Sequence, residues 1–128
     1  MLLVDAIARC FGYIRHALIR VAWPRRRTYS FVFAVSETAP SLDAVQCAVV
    51  HVVRANGRNR WAMLRCPCGC DEVVTLSLQE VHRPHWKLTQ TASGKPTLHP
   101  SIWRQEGCRS HFWIRDGGVT LVLDRLNL

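Results

Sequence analysis

The chain has 128 residues, the length of one ordinary domain, and 48% of them are hydrophobic. Its 17 lysine and arginine residues against 9 aspartate and glutamate residues give a formal net charge of +8, which favours acidic or anionic partners. Charged residues interrupt the apolar N-terminal stretch, so the sequence predicts no secretory signal and no membrane span, and we expect a cytoplasmic protein with reduced thiols.

The first segment of the chain has the pattern of an amphipathic helix. Its polar residues recur every three or four positions from Asp5 to Arg20, a spacing that places them on one face of a helix. Pro24 ends the pattern, because proline cannot continue a helix. We therefore divide the chain into an N-terminal amphipathic helix, residues 1–24, and a β domain, residues 28–128, and expect the helix to pack against that domain or another protein.

The remainder of the sequence changes to β-branched and alternating patterns, which are typical of strands. The predicted strands cover residues 29–35, 48–54, 61–65, 73–78, 85–89, 111–115 and 119–123. Asn56-Gly57 and Asp116-Gly117-Gly118 each predict a hairpin turn. The predicted fold class is α+β and mostly β, with a small antiparallel sheet or partly open barrel, a metal site in two loops and the N-terminal helix.

Two of the predicted loops carry clustered cysteine and histidine. Cys66, Cys68 and Cys70 occupy alternate positions in one loop, and Cys108 and His111 lie in another. Thiolate and imidazole ligands from two loops are typical of tetrahedral Zn²⁺, and four protein ligands predict a structural ion. The preferred ligands are Cys66, Cys68, Cys108 and His111, with Cys70 as a substitute. A disulfide between cysteines two residues apart would close a small strained ring, and a Rieske cluster needs a second histidine.

Three segments resemble the signature blocks of a small bacterial protein family: RCPCGCDEVVTLSL, TLHPSIW and GCRSHFWIRDGGV. The resemblance covers about residues 61–119. Members of that family occur beside genes for ubiquitin-like, E1-like and E2-like proteins, in operons associated with phage defence. The resemblance implies a zinc-binding accessory protein of a ubiquitin-like conjugation pathway, with the modifier or the E1-like and E2-like proteins as partners. It further implies a peptidase that trims or deconjugates the modifier.

A peptidase of this kind needs a nucleophile and a base besides the zinc ligands. Ser101 is the candidate nucleophile, and His82, His85 and His99 are candidate bases. In the alternative interpretation Ser101 caps a turn after proline, and the domain is a non-catalytic module that binds the modifier, the E1-like or the E2-like protein. Nucleic-acid binding is disfavoured, because the second pair of predicted ligands leads into a strand and not into a recognition helix.

Overall fold

The computed structural model describes residues 30–122, and these fold mainly into β-strands. In chain order the strands are β1 (Val32–Ser36), β2 (Val49–Ala55), β3 (Arg58–Arg65), β4 (Val73–Ser77), β5 (Lys87–Gln90), β6 (Pro96–Trp103), β7 (His111–Arg115) and β8 (Gly118–Leu121). A short 3-10 helix, Leu42–Ala44, lies between β1 and β2. The strands form two four-stranded sheets, with the orders β1-β2-β3-β4 and β5-β6-β7-β8.

Two tight turns explain why β2 pairs with β3 and β7 with β8. Asn56 and Gly57 connect the first pair with φ angles of 53° and 71°, and Asp116 and Gly117 connect the second with 47° and 75°. Two successive residues with positive φ form the turn that matches the twist of paired strands, and Asn-Gly and Asp-Gly adopt it at the least cost. Both predicted hairpins are thereby confirmed.

The first sheet is not entirely antiparallel. Strand β1 pairs with β2 in parallel, from Val32 opposite Val49 to Ser36 opposite Val53. Neighbouring parallel strands need a crossover connection, and residues 37–48 with the short 3-10 helix provide it. The structure therefore corrects the predicted single antiparallel sheet or partly open barrel to two open sheets, one of them mixed.

One apolar core joins the two sheets. The central strands of both sheets supply most of its buried side chains, and the cluster contains Val50, Val52, Ala62, Leu64, Leu98, Ile102, Phe112 and Ile114. Phe31 belongs to the same cluster and is fully buried, and its backbone N–H donates to the carbonyl of Gly117 at 2.7 Å. Burying a side chain of this size contributes about 1.5–3 kcal/mol. On β7 the buried Phe112 and Ile114 alternate with His111, Trp113 and Arg115, which lie on the other side of the sheet.

The mostly β class is confirmed for residues 30–122, which contain no α-helix. The amphipathic helix predicted for residues 1–24 lies outside the described residues, so its boundary with the β domain stays a prediction. Among the residues that the structure describes, no helix is long and apolar enough to span a membrane.

Glycine at position 117 is required both by backbone conformation and by space. A Cβ atom there would lie 2.6 Å from the carbonyl oxygen of Phe31, whereas one on Gly57 would contact nothing within 4 Å. Both residues have positive φ. Gly57→Ala should therefore lower the unfolding free energy by about 1–2 kcal/mol from conformational strain alone. We expect Gly117→Ala to lower it by roughly 1–3 kcal/mol more, because of the overlap. Urea unfolding of both variants measures the difference, and equal losses would contradict this packing.

Candidate functional site

Four cysteines from the two sheets lie together. The loop from β3 to β4 supplies Cys66, Cys68 and Cys70, and the loop from β6 to β7 supplies Cys108. Their sulfur atoms all lie within 4.8 Å of one another. The Sγ atom of Cys66 is 3.4 Å from that of Cys68 and 3.7 Å from that of Cys108. A single small ion could therefore contact all four thiols.

These separations fit the geometry of tetrahedral zinc. Zinc–sulfur bonds of about 2.3 Å at tetrahedral angles place neighbouring sulfur atoms about 3.8 Å apart. The cysteines are reduced in this structure, and their exposure ranges from buried Cys66 to exposed Cys68 and Cys108. Four thiolates complete the coordination of zinc and leave no open position for water. The donor set thus fits a structural Zn²⁺ that would be held by Cys66, Cys68, Cys70 and Cys108.

Burial and hydrogen bonding shift the pKa values of the clustered thiols in different directions. Burial raises the pKa of Cys68 and Cys70. Burial also opposes ionisation of Cys108, but hydrogen bonds from Ser110, Cys68 and Cys66 together outweigh it and lower the pKa of Cys108 to about 6. The Ser110 hydroxyl lies 3.1 Å from Cys66 Sγ and 3.2 Å from Cys108 Sγ. The serine beside Cys108 is therefore part of the cysteine cluster.

Arg104 joins the two cysteine loops. Its guanidinium donates to the sulfur atoms of Cys70 at 3.6 Å and Cys108 at 3.5 Å, and it pairs with the carboxylate of Glu72 at 2.6 Å. Gly107 brings the second loop close to the same carboxylate, because a Cβ atom at that position would lie 2.7 Å from Glu72 Oε2. Charge, hydrogen bonding and close backbone approach therefore all hold the loop after β6 against the loop after β3.

His111 lies outside this cluster of described residues, although the sequence analysis placed it among the preferred zinc ligands. Its Nε2 atom is 2.8 Å from the hydroxyl oxygen of Ser101. Cys70, the predicted substitute, takes the fourth place among the clustered sulfurs. The geometry thus favours four cysteines over three cysteines and His111 as the ligand set.

Ser101 and His111 face each other across the pairing of β6 with β7. The regular register of these strands is interrupted between Leu98 and Ile102, and Ser101 lies within the interruption. Such irregularities re-aim side chains and are common beside active sites. Both side chains are partly exposed. A serine hydroxyl within hydrogen-bond distance of an imidazole nitrogen is the arrangement by which a base activates a nucleophile.

An aromatic ring stacks on the imidazole of His111. Trp103 pairs with His111 in the strand register, and their rings stack with a centroid distance of 5.3 Å and an interplanar angle of 14°. Among the described residues, no carboxylate forms a hydrogen bond with this imidazole. The described part of the site is therefore a serine–histidine pair with a stacked tryptophan, without the acidic third member that completes a catalytic triad.

Trp86 fixes the backbone of Ser101. Its indole N–H donates to the carbonyl of Ser101 at 3.3 Å, and its backbone N–H donates to the carbonyl of Ser77 at 2.8 Å. Ser77 belongs to the first sheet and Ser101 to the second. One partly buried tryptophan thus connects the irregular segment of β6 to the end of β4.

The histidines predicted as bases make their contacts elsewhere. The Nδ1 atom of His82 lies 2.5 Å from the hydroxyl of Ser77, and Nδ1 of His85 contacts the backbone carbonyl of His82 at 3.0 Å. His99 lies on β6 with its ring 5.9 Å from that of Trp113. The spacing of His111 from Cys108 matches a zinc ligand pair, so the sequence does not point to His111 as a base. Its contact with Ser101 depends on the pairing of β6 with β7, and the sequence predicts no strand over residues 96–103.

A family model described as bacterial ubiquitination-like system serine protease (BubE) matches residues 34–122. The matched range includes the four clustered cysteines, Ser101 and His111. No curated protein matches the chain, and no solved structure matches it.

Metal content distinguishes the two ligand sets. Protein purified under reducing conditions with zinc should hold about one Zn²⁺ per chain. We expect Cys70→Ser to lose most of it, since one of four thiolates is removed, and His111→Ala to keep it. Elemental analysis by mass spectrometry gives the stoichiometry. Zinc lost from His111→Ala but kept by Cys70→Ser would instead support the ligand set preferred from the sequence.

Proposed function

Since the chain belongs to the bacterial ubiquitination-like system serine protease family, we propose that it is a peptidase with Ser101 as the nucleophile and His111 as the general base. The substrate would be the C-terminal tail of a ubiquitin-like modifier, cut to mature the modifier or to release it from a target. The observation that carries the proposal is the 2.8 Å contact between Ser101 Oγ and His111 Nε2. This distance lies within the range needed for proton transfer between the two groups.

The proposed reaction proceeds by acyl transfer. His111 Nε2 accepts the proton of the Ser101 hydroxyl as Oγ attacks the carbonyl carbon of the scissile peptide bond. The resulting imidazolium gives this proton to the departing amine, so that the C–N bond breaks and an ester to Ser101 remains. Water then attacks the ester with His111 again acting as the base, which restores the serine and releases the new carboxylate. No external oxidant, reductant or cofactor enters this sequence.

Trp103 would perform part of the function of the acidic residue in a catalytic triad. In a triad the acid holds the imidazole in a productive orientation and stabilises its charged form. The indole of Trp103 lies nearly parallel to the His111 ring, which restricts rotation of the imidazole. An aromatic face also attracts a neighbouring cation. Trp103 is therefore proposed as a positioning residue for the base.

Zinc would have a structural role in this peptidase. Four thiolates would occupy all its coordination positions, so the ion would supply no activated water. The cysteine cluster instead connects the loop that leads from Ser101 on β6 to His111 on β7 with the other sheet. The ion would thereby hold the two catalytic strands in register.

Membership of this family and the neighbouring genes that the sequence resemblance implies support a proposal for the biological setting. We propose action within a ubiquitin-like conjugation pathway of phage defence, in the bacterial cytoplasm, with the modifier or the E1-like and E2-like proteins as partners. This assignment favours a catalytic role over the alternative of a zinc-stabilised binding module.

Substitution of the proposed nucleophile tests this function. Ser101→Ala should lower the rate of cleavage of a modifier with a C-terminal extension by about 10³-fold or more, because the attacking oxygen is removed. Intact mass spectrometry reads the product. Zinc content and thermal stability should stay close to those of the unaltered protein.

The second serine–histidine pair supplies a matched control. Ser77 also contacts a histidine but is only 7% exposed, so Ser77→Ala should keep most of the activity. An active Ser101→Ala variant would remove Ser101 from the proposed role, and an inactive but folded Ser77→Ala variant would show that the loss of activity is not specific to Ser101.

Replacement of Trp103 tests whether stacking positions the base. We expect Trp103→Ala to lower kcat about tenfold, since a less restrained imidazole is productive for a smaller share of the time. Trp103→Phe keeps an aromatic face on His111 and should recover most of kcat. Steady-state kinetics with the extended modifier separates this effect from substrate binding. A rise in KM with kcat unchanged would instead assign Trp103 to substrate contact.

A further inference from the structure

The surface that carries Ser101 and His111 has an unusual charge pattern. One side of β6 and β7 packs into the apolar core, and the side chains on the opposite side lie outside that core. Strands β5 to β8 contain no acidic residue. They contribute Lys87, His99, Trp113 and Arg115 to the same sheet as the catalytic pair. A ligand that lay across this face would meet cationic and aromatic groups.

Arg115 is the most distinctive residue of this face. Its guanidinium carbon lies 4.2 Å from the centre of the Trp113 ring, so the flat group is held against an aromatic surface. Neither of the two salt bridges among the described residues involves Arg115, and its side chain forms no hydrogen bond there. A stacked guanidinium keeps its N–H edges free for bidentate binding of a carboxylate.

The acidic residue next in the chain does not neutralise Arg115. The carboxylate of Asp116 accepts hydrogen bonds from the hydroxyls of Ser93, at 2.6 Å, and Thr91. These hydrogen bonds hold the pKa of Asp116 below its ordinary value. The Asp116 carboxylate thus connects two turns, and the guanidinium of Arg115 is available to bind another partner.

His99 and Lys87 extend this face from β7 toward the edge of the sheet. The His99 ring lies 5.9 Å from that of Trp113, and His99 pairs directly with Lys87 of β5. Lys87 is exposed and forms no salt bridge with any described residue. A row from Lys87 through His99 and Trp113 therefore crosses three neighbouring strands and ends beside Arg115.

This face lies within reach of a peptide held at the catalytic pair. Trp113 and Arg115 follow His111 by two and four residues on β7. At the rise of an antiparallel strand these positions lie about 7 Å and about 14 Å from the base. An extended substrate covers about 14 Å in roughly four residues.

We propose that the face formed by Lys87, His99, Trp113 and Arg115 binds an extended acidic segment of the substrate, with a carboxylate on Arg115 about four residues from the scissile bond. This inference rests on the proposed function, since it places the segment relative to Ser101. A peptide is favoured over nucleic acid because the serine–histidine pair on the same face is suited to a peptide bond. The binding surface would select acidic tails and fix their direction across the site.

Charge reversal at Arg115 tests the surface separately from catalysis. The probe is a fluorescently labelled ubiquitin-like modifier with its C-terminal extension. Its forms carry Glu, Gln or Lys at a site three to five residues before or after the cleaved bond. Its affinity is measured by anisotropy with the full chain carrying Ser101→Ala, with and without Arg115→Glu. Arg58→Glu is the matched control, because Arg58 is an exposed arginine of the other sheet without a side-chain hydrogen bond among the described residues.

The expected result is specific to one position of the substrate. Arg115→Glu should weaken binding of the Glu form about fivefold, by loss of an exposed charge pair, and should strengthen binding of the Lys form. Arg58→Glu should change neither affinity. In the chain with Ser101 intact, the same reversal should raise KM for the Glu form and leave kcat nearly constant.

Three outcomes would overturn the proposal. The first is equal binding of the Glu, Gln and Lys forms, and the second is an equal effect of Arg115→Glu and Arg58→Glu. The third is displacement of the labelled modifier from Arg115 by single-stranded DNA but not by acidic peptides. Because these are binding measurements, they stand whether or not Ser101 proves to be the nucleophile. Cleavage that survives Ser101→Ala would refute the proposed function and leave the binding result unchanged.

Discussion

The pairing of β6 with β7 is the constraint on which the site depends. It aligns Trp103 with His111, while the irregular stretch between Leu98 and Ile102 turns the Ser101 hydroxyl toward the imidazole. Ile102 and Phe112, which pair directly, are buried in the shared core. A slip of one residue would bury the side chains of the proposed nucleophile and base and expose the apolar ones. The stability of the core and the geometry of the proposed nucleophile and base are thus set by the same register.

The cysteine cluster includes the loop that joins β6 to β7. The loop between β6 and β7 lacks strand pairing of its own, but Cys108 and Arg104 attach it to the loop after β3. A small two-sheet domain buries limited apolar surface, and structural zinc supplies about 10–16 kcal/mol of apparent binding free energy in small folds. The four thiols and the core would therefore share the task of holding the second sheet against the first.

The sequence was most informative where local chemistry decides the structure. Asn56-Gly57 and Asp116-Gly117 predicted both hairpins because positive φ angles demand those residues. Three cysteines within five positions predicted a shared metal site, and the thiols do lie together. Partners that are distant in the chain were beyond such reasoning. Whether His111 turns toward Cys108 or toward Ser101 depends on strand register, and the parallel pairing of β1 depends on a crossover; neither leaves a local pattern.

The central claim is that the hydrogen bond between Ser101 and His111 makes this serine a nucleophile. Reaction with a biotinylated fluorophosphonate, which phosphonylates activated serines, tests the claim without knowledge of the natural substrate. Peptide sequencing by mass spectrometry should find one modified residue, Ser101, and His111→Gln should abolish the modification while the protein stays folded. Modification of Ser77 in place of Ser101, or an unmodified protein that nonetheless cleaves the modifier, would contradict the account.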